Sequence, residues 1–212
     1  MHQVMDVSGA VLHSEREYDI AADTAINEGQ VVKLVDGLVV AAAAGETGAV
    51  LGISAESHPG TEDALNPRAN GKKIIVRDAP GAVLACPAPV IAALTGGNAT
   101  TVKFTGADGV GADAFKGGYI RDKTGHLRRI TGSTDTSGAI DLTVESGAVV
   151  GEGETFILYP PIGFSKGNLS SDGTKIVVTA TAELPLAVIG RDETTNEIWL
   201  VAKKHALGPV TA

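Results

Sequence analysis

The clearest hydrophobic pattern in the chain is three short apolar runs set between glycine-bearing turns: Val31-Val32-Lys33-Leu34-Val35, Leu38-Val39-Val40 and Val50-Leu51-Gly52-Ile53. The first run is rich in β-branched residues, and Asp36-Gly37 supplies the two positive-φ positions of a type I′ turn, so the pattern predicts a β-hairpin. Ala41-Ala42-Ala43-Ala44 comes too close to Gly45 to hold a helix in water and reads as strand packed against a neighbour. Gly45-Glu46-Thr47-Gly48 turns the chain again, and the third run completes a meander. Gly52 inside that run marks a bulge or a close approach of another backbone.

Beyond a polar loop over residues 58–71, Lys72-Lys73-Ile74-Ile75-Val76-Arg77 and Ala82-Val83-Leu84-Ala85 read as a strand pair around Ala79-Pro80-Gly81. Residues 90–94 read as one short helical turn before Gly96-Gly97. From residue 98 to about 161 the chain is richer in Gly and Thr, and strands are expected over 101–105, 118–122, 127–131, 139–144 and 155–159. Strands at that spacing predict a second small barrel or sandwich. The final candidates, over 175–179, 186–190 and 197–201, are too few to bury their own Val and Ile, so they are expected to return to the first domain, the competing layout being three sections in a line.

The expected architecture is therefore all-β. It has an N-terminal arm (1–17), a discontinuous barrel or sandwich base domain (18–97 with 166–212) and an inserted β-domain (98–165). The arm has apolar residues in too irregular a pattern for a packed element. Val4, Val7, Val11 and Leu12 nevertheless make it a candidate for ordering on a neighbouring subunit or partner.

Composition sharpens this picture. Glycine is abundant (27) and aromatics are scarce (4%), so the core is expected to be Val, Ile, Leu and Ala between tight turns, with Trp199 buried in Ile198-Trp199-Leu200-Val201. A formal charge of −8 argues against nucleic acid as a direct partner. Cys86 stands alone, so neither an internal disulfide nor a cysteine zinc site is expected. The N-terminus lacks the basic start of a secretory signal, and no run is long enough for a membrane helix. The reading is of a soluble protein made in a reducing compartment.

Candidate chemistry is sparse. Gly109-Val110-Gly111-Ala112-Asp113-Ala114 imitates a dinucleotide fingerprint, but no strand–helix alternation surrounds it, so it reads as a loop. Asp108, Asp113 and Asp122 lack the spacing of a calcium loop, and the five histidines are scattered, with surface or loop positions expected for all. No nucleophile elbow occurs, and Ser146 and Ser171 have no recognisable base nearby. No catalytic residue, cofactor or metal is expected. One charge asymmetry stands out: between residues 103 and 129 six cations (Lys103, Lys116, Arg121, Lys123, Arg128 and Arg129) face three carboxylates. It is either a solvated face or a docking patch for an acidic protein, with Arg121, Lys123, Arg128 and Arg129 as interface candidates.

Three elements in order, G-x-V-V-x-L at residues 29–34, D-G at 36–37 and L-G-[IV]-[SA]-x-E at 51–56, resemble those of tailed-bacteriophage capsid decoration proteins, also called cement proteins. Gly117-Gly118-Tyr119-Ile120, Arg128-Arg129-Ile130 and Phe156-Ile157-Leu158-Tyr159-Pro160 are similar to the outer domain of longer members. The resemblance implies a β-barrel protein on the outer surface of an expanded capsid, at junctions of the major capsid protein. It also implies a homotrimer that resists internal DNA pressure, made in the host cytoplasm. The other readings are a carbohydrate- or receptor-binding β-module of a phage particle and a hydrolase.

Overall fold

A computed structural model describes residues 1–6, 14–60, 72–95, 100–106, 109–136, 138–148, 150–179 and 182–207. Within these residues the protein is all-β.

Strands β2 (Glu15–Asp19), β8 (Lys73–Arg77), β6 (Gly52–Ser54), β4 (Val31–Val35) and β5 (Leu38–Ala41) form one sheet in that order. Its two edges meet where Ile20 bridges Val39 and Ala21 N–H donates to Val39 O at 3.0 Å, which rolls the sheet into a small barrel. Ile20, Ile26, Val32, Val39, Leu51, Ile74 and Val76 fill it. A two-stranded ribbon, β3 (Ala25–Ile26) with β7 (His58–Pro59), lies in the same part of the chain. The predicted β4–β5 hairpin forms, with Asp36 (φ 52°) and Gly37 (φ 81°) both in the left-handed region that a type I′ turn requires.

A second sheet joins β1 (His2–Asp6), β9 (Ala82–Pro87), β19 (Glu197–Ala202) and β18 (Leu186–Asp192) in that order. The open edge of β18 is covered by Gly163 and Phe164, which exchange backbone hydrogen bonds with Val188 at 2.7 and 2.9 Å. The ribbon β16 (Asn168–Leu169) with β17 (Ile176–Val177) precedes β18.

The third unit is a closed barrel, β10 (Val90–Thr95), β11 (Thr101–Thr105), β14 (Ala139–Val144), β13 (Leu127–Thr136), β12 (Tyr119–Arg121) and β15 (Thr155–Tyr159). β10 closes it by pairing with β15 through residues 90–92 and with β11 through Ala93 and Thr95. Alternate residues of β11 and β15 point inward, and Phe104 meets Phe115 and Phe156 edge-on at 5.9 and 6.0 Å. Phe115 also packs on Phe164 at 5.0 Å. One continuous core runs from this barrel into the second sheet through Leu84, Cys86, Leu186, Val188, Ile198 and Leu200.

Several expectations need correction. The meander does not form, because β6 pairs with the far edge of β4 and leaves β5 at the end of the sheet. The alanine run is strand only through Ala41. β8 and β9 do not pair with each other, since the turn at 78–81 carries the chain from the small barrel into the second sheet. Residues 90–94 are strand, not a helical turn. Val90 and Ile91 are β-branched, and two neighbouring strands offer hydrogen-bond partners that a single helical turn lacks. The inserted domain was expected to begin at 98, whereas the barrel's first strand begins at Val90 and its last ends at Tyr159. The core is not purely aliphatic, because the chain's four phenylalanines are concentrated in one cluster at the barrel.

The N-terminal segment also differs from an unpacked arm. His2–Asp6 is an edge strand on β9, and Glu15–Asp19 pairs with β8. An edge strand needs only one partner ladder, so it forms without the strict alternation of a sheet interior. Met1 packs on the main core, and its ammonium donates to Gly29 O at 2.8 Å and Thr174 O at 3.2 Å. Val4 lies on β1 and is half-buried, while Val7, Val11 and Leu12 fall outside the described residues.

Candidate interaction surface

The basic residues of the 103–129 segment are distributed among separate partners. Lys123 Nζ lies 2.6 Å from Glu154, Lys103 lies 3.6 Å from Asp141, and Lys116 lies 3.4 Å from Asp113. Arg128 Nε lies 3.7 Å from the buried Asp122 carboxylate. Arg121 Nη1 donates to Asn196 Oδ1 at 2.6 Å, which turns this arginine toward the β18–β19 hairpin. Arg129 is exposed, and its backbone N–H donates to Glu145 Oε2 at 3.4 Å. Asp141, Glu145 and Glu154 lie outside the segment in sequence, so counting charges along it overstates the free positive charge. Exposed pairs of this kind contribute about 0–1 kcal/mol each to stability.

The Arg121 contact belongs to a junction that sequence reasoning missed. Asn196 sits at φ 57° in the turn after β18. Its Oδ1 also accepts the Tyr159 hydroxyl at 2.9 Å, and its backbone O accepts Ala88 N–H at 2.8 Å. Beside it the Arg191 guanidinium lies 3.9 Å from the centre of the Tyr119 ring. The signal available in sequence was the polar turn Arg191-Asp192-Glu193-Thr194-Thr195-Asn196, which ends on a residue tolerant of the left-handed region.

A second polar cluster forms around Asp78, whose side chain is fully buried at the corner between β8 and β9. Ser14 Oγ donates to it at 2.7 Å, the Tyr18 hydroxyl makes a short hydrogen bond to it, and Arg16 Nε lies 3.4 Å away. Ser14, Arg16 and Tyr18 alternate along the chain, so the extended backbone puts all three on one face. Burial, reinforced by the Asp78 carboxylate, pushes the Tyr18 phenol up to about 12. Because the folded pKa is raised from 10, Tyr18 supports the fold fully below pH 10, and that support is lost as pH rises through about 12. Tyr18→Phe is expected to cost about 1–2 kcal/mol at neutral pH and to flatten the alkaline loss of stability, read by urea unfolding across pH 8–12.

The Gly109–Gly111 loop is held by Asp135, which accepts Gly109 N–H at 2.7 Å and Gly111 N–H at 3.1 Å, and by Lys166 Nζ, which donates to Val110 O at 2.7 Å. The amide donors hold the Asp135 carboxyl below its usual range. No group of three metal-ligating side chains occurs among the described residues. His2 is exposed and lies 3.7 Å from Glu197, while His58 and His126 bond within their own turns. His13 lies outside the described residues. Contrary to the surface expectation, His205 is only 8% exposed.

Trp199 is not in the core. Ile198 and Leu200 take the inward positions of β19, and the indole lies half-buried on the other face over Gly190, where a Cβ would fall 2.9 Å from the ring.

One apolar feature of the described surface lies on β10. Val90 (66% exposed), Ala92 and Leu94 alternate along the outer face of that strand. At its start, residues 87–91 and 175–179 line an open groove of about 350 Å³ whose one charged member is Lys175. Proline and β-branched residues make the walls stiff, so the groove is pre-formed and mostly apolar. No protein-family model, curated protein or solved structure matches the chain.

Proposed function

We propose that the protein is a non-enzymatic structural component of a bacteriophage particle, a decoration or cement protein that binds the outer surface of an expanded capsid. The observation that carries this reading is the exposed Val90, Ala92 and Leu94 stripe beside the apolar groove. A side chain such as Val90 left largely in water forgoes up to roughly 1.5 kcal/mol of burial, and a stripe of such positions supports a protein contact there. The decoration-protein motifs support it from a different direction. The partner is then the major capsid protein, and a homotrimer suits a symmetric shell because linked weak contacts reinforce one another.

Co-sedimentation with empty expanded capsids tests this. The wild-type chain is expected to pellet with capsids, and Val90→Lys with Leu94→Lys is expected to weaken binding at least about tenfold, one decade of affinity per 1.4 kcal/mol. A wild-type chain that stays in the supernatant would refute the proposal. The half-buried Trp199, outside the core, favours a second reading, the glycan- or receptor-binding module. Glycan-dependent change in its fluorescence, without capsid binding, would select that reading.

A further inference from the structure

After β19 the chain crosses to the small barrel, where Val50 holds it. Val50 N–H donates to Lys204 O at 3.1 Å, Ala206 N–H donates to Val50 O at 2.8 Å, and Ala206 packs on the small core. His205 sits at the middle of this contact, in a parallel bridge with Val50. Its Nδ1 accepts Leu207 N–H at 3.1 Å, which places the ring proton of the neutral imidazole on Nε2. Nε2 is buried and meets no full hydrogen-bond geometry among the described residues, although the Leu51 backbone lies near enough to the ring to favour its charged form.

Protonation changes this arrangement in two ways. The new proton occupies Nδ1, so that atom no longer accepts from Leu207 and two donors face each other. A positive charge also appears in a site that is only 8% exposed. Among the described residues, the charged group whose field acts on the ring is Asp78, already engaged by Ser14, Tyr18 and Arg16. On the ring's own segment Lys204 is exposed, and Lys203 is paired with Glu183 at 2.7 Å. Burial holds the imidazole below its ordinary value, against weaker opposing contributions from the Leu51 backbone and Asp78.

We propose that His205 is an acid-sensitive latch, whose protonation releases residues 203–207 from Val50 and loosens the seam between the four-stranded sheet and the small barrel. The sign follows from the depressed folded value. The latch is fully closed above the ordinary histidine pKa of 6.5 and weakens as pH falls below it toward the folded value.

Hydrogen exchange at the Val50 and Ala206 amides, corrected for intrinsic rates and measured from pH 7.5 to 5.0, reads the latch directly. Wild-type opening is expected to rise several-fold, with a ceiling of about 30-fold at pH 5 set by an unfolded imidazole titrating near 6.5. His205→Asn keeps an acceptor for Leu207 N–H but does not titrate, and its opening is expected to be independent of pH. A flat wild-type profile would overturn the latch. So would the same pH dependence in His205→Asn, which would place the titration outside His205. If His205→Asn fails to fold, the imidazole titration of the wild-type protein followed by NMR decides: a pKa below the ordinary value supports the latch, and one at or above it overturns it.

Discussion

Gly52→Ala is expected to destabilise the protein by at least about 3 kcal/mol, the upper part of the range for forcing extra atoms into a packed interior. A Cβ at this position would lie 1.9 Å from Arg77 O, 2.9 Å from Arg77 C and 3.2 Å from Asp78 Cα. All three are backbone atoms, so no side chain can rotate away to make room. Relief requires moving β6 from β8, and those strands are fixed by the Ile53–Arg77 and Ser54–Val76 pairs. The shift would also disturb Asp78 and its bonds to Ser14 and Tyr18. Gly37→Ala is the matched control, because nothing lies within 4 Å of a Cβ there and only the φ of 81° opposes the change. It is expected to cost about 1 kcal/mol, the left-handed penalty for a residue with a Cβ. Urea unfolding of both variants separates the cases, and equal midpoints would show that β6 and β8 have room to part.

Gly52 was legible in the sequence because a glycine inside an apolar run has few physical uses in a strand. The β4–β5 hairpin was legible for a similar reason, since Asp36-Gly37 satisfies a local backbone requirement that few dipeptides meet. Which strand pairs with which was not local in this way. β6 takes the far edge of β4, and β8 and β9 go to different sheets, because the choice depends on where distant apolar faces can be buried. β10 shows the same limit from another side: six residues with two alanines and a leucine between Ile91 and Thr95 carry a weak strand signal until β11 and β15 supply ladders on both edges.

The site was legible in its residue types and illegible in its pairings. Arg121, Lys123 and Arg128 stood out as a run of cations, yet Asn196, Glu154 and Asp122 reach them in three different directions. Only Asp122 lies in the same stretch of chain. The Val90, Ala92 and Leu94 stripe was hidden by the reading of a helical turn, which gives alternate residues no common face. His205 lacked any sequence signal, since its burial comes from Val50 on a distant strand connection.

Asn196→Ala is expected to cost about 2–4 kcal/mol, combining the loss of a hydrogen bond to a charged group, an orphaned hydroxyl and the left-handed penalty. Asn196 Oδ1 is the shared acceptor for Arg121 Nη1 and the Tyr159 hydroxyl, and it lies where the outer face of β12 and β15 meets the β18–β19 hairpin. Arg121 Nε is already buried without a partner among the described residues, so removing the acceptor leaves the guanidinium further exposed to the desolvation penalty. Tyr159 is fully buried as a residue, so its hydroxyl has little access to water as a substitute. Two companion variants divide the cost. Asn196→Gly keeps the φ of 57° accessible while deleting the acceptor, so it is expected to recover only about 1 kcal/mol relative to alanine. Asn196→Asp keeps both the acceptor and the backbone tolerance and adds a charge opposite Arg121, so its stability is expected to match or exceed that of the wild type. Urea unfolding of the three variants reads this order directly. If alanine, glycine and aspartate lie within about 0.5 kcal/mol of one another, within the range of an ordinary surface substitution, the junction is held by the apolar core alone and Asn196 is only a turn residue.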